Sequence, residues 1–432
     1  MRLRDSLTGQ PRELVPGPDG RIGMYVCGPT VYDRIHVGNA RPFVVFLWMK
    51  RYLEWRGQPV TLVENITDIN DKIYTAATAR GVPSDRLAAE MAQAYTDDTD
   101  RLGLGRPDRE PLASAAMAEI IALVERLIAD GHAYEAGGDV YFAVRSFPDY
   151  GRLSNQDVDQ LKESAEPGEH KRDPVDFALW KATKPDEDTS WESPWGAGRP
   201  AWHIECSAMA EQWLGPEFAL HGGGRDLIFP HHENEIAQSA GAGRRFAQVW
   251  AHNGMLRLSG EKMSKSLGNI DRLVDVLDRW GAETLLVFFA QGHYAAPLDF
   301  SDETMRQAQA ASETLRNRLR DGSGGEDADL RAAVAQALDD DFNTPRALAL
   351  LFDAPAQASG TVAEVLGVLG LGGLGRDEGA PPELLELARS RDQARADRDF
   401  GRADQLRDQI EAAGWEVRDT AEGTALYRRH GG

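Results

Sequence analysis

The chain has 432 residues, too many for one ordinary hydrophobic core, so two or three domains are expected. Apolar residues make up 42% and charged residues 27%, a globular profile that excludes a disordered or membrane-embedded chain. A formal net charge of -21 argues against a uniformly basic surface, although a local basic face can still meet a polyanion. Met1–Leu14 lacks the apolar core of a signal peptide, and the runs Phe43–Met49 and Leu285–Ala290 are too short to span a bilayer. Two cysteines and no export signal fit a reducing, cytoplasmic compartment and no membrane.

In chain order, Arg21–Val26 reads as a strand running into the loop Cys27-Gly28-Pro29-Thr30. Pro42–Trp55 is apolar at helical spacing, with Pro42 suited to a first turn, and Gly57 ends it before a strand at Val60–Val63. Strand, loop, helix and strand make a βαβ unit, which predicts a parallel sheet with ligands at its strand ends. Met117–Ile128 is helical and Asp139–Val144 a strand; the polar stretch from Pro148 to Ser193 reads as an excursion from the sheet. A short strand ends at Ala219–Leu220, leaving His221 at an exposed strand end beside three glycines. His231–Ala240 opens a helix and Val249–His252 is a further strand.

The texture changes near Ser301. Met305–Leu319 is an amphipathic helix, Gly322–Asp329 a linker, and Leu330–Leu338 and Pro345–Phe352 are helices around an acidic turn, Asp339-Asp340-Asp341, read as solvated surface. Gly367–Gly379 reads as a flexible hinge before a charged helix pair over Pro382–Ala413 and a hairpin of Trp415–Arg418 with Ala425–Arg428.

Two segments carry chemistry together. His36-Val37-Gly38-Asn39 lies where a loop enters a helix, and such a terminus offers free N–H groups and a positive dipole end to a phosphate. Lys262-Met263-Ser264-Lys265-Ser266, far along the chain, supplies point charges for a transition state that builds negative charge. His231 and Glu235 are four apart and share a helix face, so they can chelate one ion. On the residues alone, Cys27 and Cys206 read as buried free thiols.

These segments resemble the HIGH and KMSKS signatures of class I aminoacyl-tRNA synthetases, and the likeness extends to the cysteinyl-tRNA synthetase family. Met24–Asp33, Asn65–Lys72, Ser193–Ser207 and Asp226–Gln238 match that family's segments, over nearly the whole chain. Asn39 departs from the final histidine of HIGH, and the stretch after Phe352 is shorter and richer in glycine than the family's helix. The resemblance implies a Rossmann-type α/β catalytic domain with an insertion over 1–300, a helical tRNA-binding domain over 301–375 and a small anticodon-recognition domain over 382–432. It also implies ATP held by Gly28, Thr30, His36, Gly38, Asn39 and Lys265, with His36, Asn39, Lys262 and Lys265 catalytic. Zinc, one per chain, falls to Cys27, Cys206, His231 and Glu235, Mg²⁺ accompanies the ATP, and Thr67, Trp202, His221 and Asp226 line the amino-acid pocket. The partners implied are L-cysteine, ATP and tRNA(Cys), with a monomeric enzyme.

Two rivals are open at this point. A related ligase joins cysteine to an amino sugar and shares the zinc and nucleotide motifs, but has no need of the residues from Pro382 onward. A non-catalytic paralogue acting as a binding module is disfavoured by His36, Lys262, Lys265 and the four intact metal-type residues. The tail arginines Arg389, Arg391, Arg395, Arg398, Arg402 and Arg407 alternate with acids, which fits either a salt-bridged face or an anticodon reader.

Overall fold

The computed structural model describes residues 1–161, 168, 170–258, 261–262, 271–320, 322–375, 380–420 and 423–428. It forms two compact units, Met1–Leu371 and Gly372–Gly432.

The larger unit is organised by a four-stranded parallel sheet. The strand Ile22–Val26 lies between Val60–Glu64 on one side and Glu217–Gly224 on the other, with Phe246–Asn253 at the far edge. Strands buried on both faces read as continuous apolar runs, which is why Ile22–Val26 and Val60–Glu64 are visible in the sequence. The chain leaves Ile22–Val26 in one direction and returns on its other flank through Glu217–Gly224. The reversal falls beside Cys27, and such switch points are where parallel sheets bind ligands.

The helix after the first strand runs over Val37–Trp55, beginning five residues earlier than its apolar pattern predicts. His36 is its N-cap, so Pro42 sits inside the helix and not in its first turn. Proline there has no N–H to give the Gly38 carbonyl, and the start is held instead by the cap. The region read as an excursion contains the strand Phe177–Ala182, part of a second, antiparallel sheet with Ala133–Ala136, Asp139–Phe142 and Gly198–Pro200. Cys206 rides on the helix Trp202–Leu214, and Glu235 on Glu233–Gly241, which follows a π-helical turn at Ile228–His232.

Beyond Leu298–Phe300 the larger unit is helical, over Asp302–Arg320, Ala328–Asp339, Thr344–Asp353 and Ser359–Val368. Two expectations are corrected here. The acidic turn is solvated only in part: Asp340 is exposed, but Asp339 takes bonds from the hydroxyl of Tyr52 at 2.9 Å and from Arg56 at 2.7 Å. Asp341 accepts from the Arg4 amide at 2.8 Å and the Tyr294 hydroxyl at 3.0 Å. These partners hold Asp341 and Phe342 at φ 57° and 48°, a region that side chains beyond Cβ rarely adopt. The first part of the supposed hinge is equally fixed. Trp48 and Arg51 donate to the carbonyls of Leu369 at 2.8 Å and Gly367 at 2.6 Å, and Leu369 and Leu371 are buried. Its residues 376–379 lie outside the described residues.

The smaller unit pairs the helices Pro382–Ala396 and Phe400–Ala412 with a hairpin of Trp415–Thr420 and Gly423–Arg428. Ala388, Ile410, Trp415, Val417 and Leu426 form its core.

Candidate active site and metal centre

A cleft of about 270 Å³ opens at the C-terminal ends of the parallel strands, where Cys27, Glu64, Gly224 and Asn253 all contribute to its wall. Of the residues expected in the site, Cys27, Gly28, Thr30, His36, Gly38, Asn39, Trp202 and Asp226 line it. The nucleotide motif is itself the first turn of the signature helix. Nδ1 of His36 accepts from the Asn39 amide at 3.2 Å, and Oδ1 of Asn39 accepts from the His36 amide at 3.3 Å. This reciprocal cap gives asparagine a reason to stand here: it satisfies a free helical N–H and leaves its Nδ2 end as the donor it offers the cleft. Gly38 is needed because a Cβ would lie 2.9 Å from Nδ1 of His36. At Gly28 a Cβ would lie 1.8 Å from the Asn65 carbonyl, so the two strand-end loops can meet only with glycine there.

The lysine motif is described in part. Glu261–Lys262 pairs with Arg257–Leu258, and Arg272 bridges to His36 on the far side of the segment. Both ends of that segment are thus tied to elements at the cleft, while Lys265 lies outside the described residues.

Behind the cleft floor sits a cluster of donors. Cys27, Cys206, His231 and Glu235 each place one ligand-type atom within 4.8 Å of the others, and all four are buried. Sγ of Cys27 is 3.3 Å from Nε2 of His231 and 3.3 Å from Oε1 of Glu235, and His231 and Glu235 are 3.1 Å apart. The i, i+4 spacing does bring the last two together. A second, overlapping set, Cys27, His221, His232 and Glu235, meets the same distance. The first set is better prepared for an ion, because His231 turns Nε2 toward Cys27 while its Nδ1 is 2.8 Å from Nδ1 of His203. A metal-binding imidazole is ordinarily oriented by a partner on its other nitrogen. His221, by contrast, keeps Nδ1 buried without a hydrogen-bond partner.

Burial pushes both thiols up, with the neighbouring cysteine and Glu235 adding to the effect at Cys27. Burial pushes His231 down, helped by His203 and His221. Two soft sulfurs, a neutral imidazole and a carboxylate, desolvated together, fit a thiophilic dication such as zinc by donor type.

Two expected pocket residues sit elsewhere than a lining position. Thr67 is buried, its hydroxyl 3.1 Å from Nδ2 of Asn65, whose Oδ1 in turn accepts from the Gly28 amide. His221 is not at an exposed strand end. The strand continues to Gly224, and His221 is fully buried, stacked on Trp250 at 4.4 Å and 2.9 Å from Oε2 of Glu235. Sequence reasoning took glycines for a loop; here Gly222 lies flat against Phe46, whose ring a Cβ would meet at 2.2 Å. It also missed His203, His232 and His252. The first two were signalled by the pairs Trp202-His203 and His231-His232, but His252, 2.8 Å from His232, carries no local signal.

A parallel sheet, a capped phosphate-type helix terminus at its strand ends and a soft donor cluster beneath define an α/β nucleotide-dependent enzyme with a metal-type centre. Comparison with known proteins agrees. Residues 13–310 match the family model described as tRNA synthetases class I (C) catalytic domain, and residues 333–358 match the DALR domain. A protein of Syntrophotalea carbinolica named "Cysteine--tRNA ligase" is 43% identical, covering 99% of this chain and 100% of its own. One of the same name from Alkalilimnicola ehrlichii is 46% identical over the same shares. In fold, a Mycobacterium tuberculosis methionyl-tRNA synthetase solved with methionyl-adenylate aligns at a TM-score of 0.56 and 16% identity, covering 81% of this chain and 89% of that one. The chain belongs to the cysteine branch of the class I tRNA synthetase family.

Proposed function

We propose that the protein activates L-cysteine with ATP and transfers the cysteinyl group to tRNA(Cys). One observation carries this reading: Cys27 belongs both to the buried four-donor cluster and to the wall of the cleft that His36, Gly38 and Asn39 line. A thiol-selective centre therefore opens into a nucleotide site. The full-length likeness to cysteine-tRNA ligases supports it further.

In the first step a carboxylate oxygen of cysteine attacks the α-phosphorus of ATP, and pyrophosphate leaves with the electron pair of the broken P–O bond. His36 and Asn39 donate to the phosphoryl oxygens from the helix terminus, and Lys262 and Lys265 neutralise the charge that develops there. Gly28 and Thr30 let the nucleotide approach the strand end, and Mg²⁺ accompanies the ATP. In the second step a ribose hydroxyl of the tRNA 3′ adenosine attacks the cysteinyl carbonyl and AMP leaves. Thr67, Trp202, His221 and Asp226 shape the amino-acid pocket: Trp202 and Asp226 from its wall, Thr67 and His221 by fixing Asn65 and Glu235 behind it.

Cys27, Cys206, His231 and Glu235 would hold one zinc ion, which supplies a soft Lewis acid that favours a thiolate over a hydroxyl. A bond made only by the right substrate rejects serine, an isostere that pocket shape alone rejects poorly. The helical segment 301–375 binds tRNA and 382–432 reads the anticodon. The enzyme works as a cytoplasmic monomer; no helix among the described residues is long and apolar enough to cross a membrane. Cysteine-dependent ATP–pyrophosphate exchange and charging of tRNA(Cys) test the proposal together. Exchange with serine as well as with cysteine, or ligation of cysteine to an amino sugar without tRNA charging, would defeat it.

A further inference from the structure

Four arginines are buried among the described residues: Arg41, Arg199, Arg316 and Arg391. Three have a carboxylate within hydrogen-bond reach: Arg199 meets Glu187 at 2.8 Å, Arg316 meets Glu283 at 2.7 Å and Arg391 meets Asp419 at 2.7 Å. Arg41 has none. It is 1% exposed, in the second turn of the signature helix, and among the described residues its only acceptors are two backbone carbonyls. Nη1 donates to Gly254 at 2.6 Å and Nη2 to His293 at 3.1 Å, while Nε has no partner. Burial brings its pKa down to about 10, so at neutral pH it stays a cation.

A buried guanidinium without a counter-charge is costly. If the fold needed only a tie between the carbonyls of Gly254 and His293, a neutral amide would serve without that cost. The location supplies the missing anion. Gly254, with Asn253, Met255 and Leu256, forms the wall of the same cleft that Gly38 and Asn39 line. Its N–H is held by the Tyr294 carbonyl at 2.8 Å, and its carbonyl by Arg41. The charge therefore lies one peptide group behind the cleft surface, on the helix whose N-terminus faces the same space.

We propose that Arg41 is a positioning residue for the nucleotide, its unpaired charge drawing the polyphosphate toward the helix terminus while its two carbonyl bonds set the opposite wall. The inference rests on the ATP reading above and adds to it a second layer of charge that no signature motif contains. Arg41 touches no substrate; it acts through Gly254 and through its field.

Equilibrium binding of ATP and of adenosine to the full chain separates charge from scaffolding. A charge acting across one peptide group is worth about tenfold or more in affinity for a polyanion, and almost nothing for a neutral ligand. Arg41→Gln should lose ATP affinity by about tenfold or more while adenosine affinity moves by less than about threefold. Arg41→Lys, which keeps the charge but loses one carbonyl bond, should keep the ATP-to-adenosine preference within about threefold of wild type. If Arg41→Gln weakens both ligands equally or neither, the inference is overturned. Should that variant not fold, loss of the preference in Arg41→Lys overturns it equally. A wild-type chain that binds neither ligand removes the nucleotide reading itself, whereas an unchanged preference in a chain that binds both removes this inference alone.

Discussion

The donor cluster beneath the cleft and the arginines of the C-terminal unit use strongly polar side chains in opposite ways. In the cluster, four ligand-type atoms crowd within 4.8 Å and burial disfavours ionisation of both thiols. Nothing there resembles a set of matched ion pairs. In the C-terminal unit the pairs are matched. Arg391 meets Asp419 at 2.7 Å and Thr424 at 2.6 Å, Arg395 shares the same carboxylate, and Arg407 meets Glu411 at 2.8 Å. Such pairs brace a unit whose hydrophobic core is small, centred on Ala388, Ile410, Trp415, Val417 and Leu426. A polar group satisfied inside its own fold is scaffold, and one placed in low dielectric without a matched partner is waiting for a ligand. By that criterion Arg391, Arg395 and Arg407 are structural, whereas the exposed Arg389, Arg398 and Arg402 make no ion pair among the described residues and are the tail's candidates for the proposed tRNA contact.

The largest expected effect is at the cluster. Cys206→Ala should strip the metal and lower cysteine-dependent pyrophosphate exchange by about a hundredfold or more, since even outer partners of such sites are worth tenfold to a hundredfold. ATP affinity should stay within about threefold; metal analysis with ATP titration would show otherwise if Cys206 were only a packed thiol. Next comes removal of the smaller unit. A chain ending at Leu371 keeps every cleft residue and should form adenylate within about threefold of the full chain, while tRNA charging at moderate salt falls about tenfold or more. Charging at the full rate by that truncated chain would make the C-terminal unit irrelevant to tRNA.

Acid should expose the cluster's surroundings before the tail. His252 is buried against His232 and Ser6, and burial, with His221 and Arg225, lowers its pKa to about 3. A histidine whose folded pKa lies below its unfolded value contributes stability above about pH 6.5 that is lost as pH falls toward the folded pKa. Thermal midpoints should therefore drop between pH 6.5 and 5, and His252→Asn should flatten that slope; an equal slope in both proteins would contradict the assignment. The smallest effects separate scaffold from reader in the tail. Arg395→Ala, an exposed pair, should change stability by less than about 1 kcal/mol and leave tRNA affinity alone. Arg398→Ala should weaken tRNA binding and reduce its salt dependence by about one counterion, read from titrations at several salt concentrations.

Much of this architecture is legible in the residues because the strongest signals are local. The strand–loop–helix–strand start follows from apolar runs and Gly57, and the His231–Glu235 pair from helical spacing. What stays hidden is set by tertiary contacts. Gly222, Gly223 and Gly224 look like a loop, yet they are strand, and Phe46, His232 and Asp226 in turn take the space that side chains there would need. Asp339 and Asp341 look as solvated as the exposed Asp340 between them because their partners Met1, Arg4, Tyr52 and Tyr294 are distant in sequence. Arg41 is invisible for the opposite reason: its partners are carbonyls, which carry no residue identity at all.

The central claim, that the cluster selects the thiol of the substrate, is tested most directly by X-ray absorption at the zinc edge on the purified enzyme. The resting protein should hold about one zinc per chain with two sulfur and two nitrogen or oxygen neighbours. Adding cysteine should add a sulfur at about 2.3 Å, and adding serine should leave the spectrum unchanged. Active enzyme without zinc, or a sulfur count that cysteine does not raise, would contradict the account.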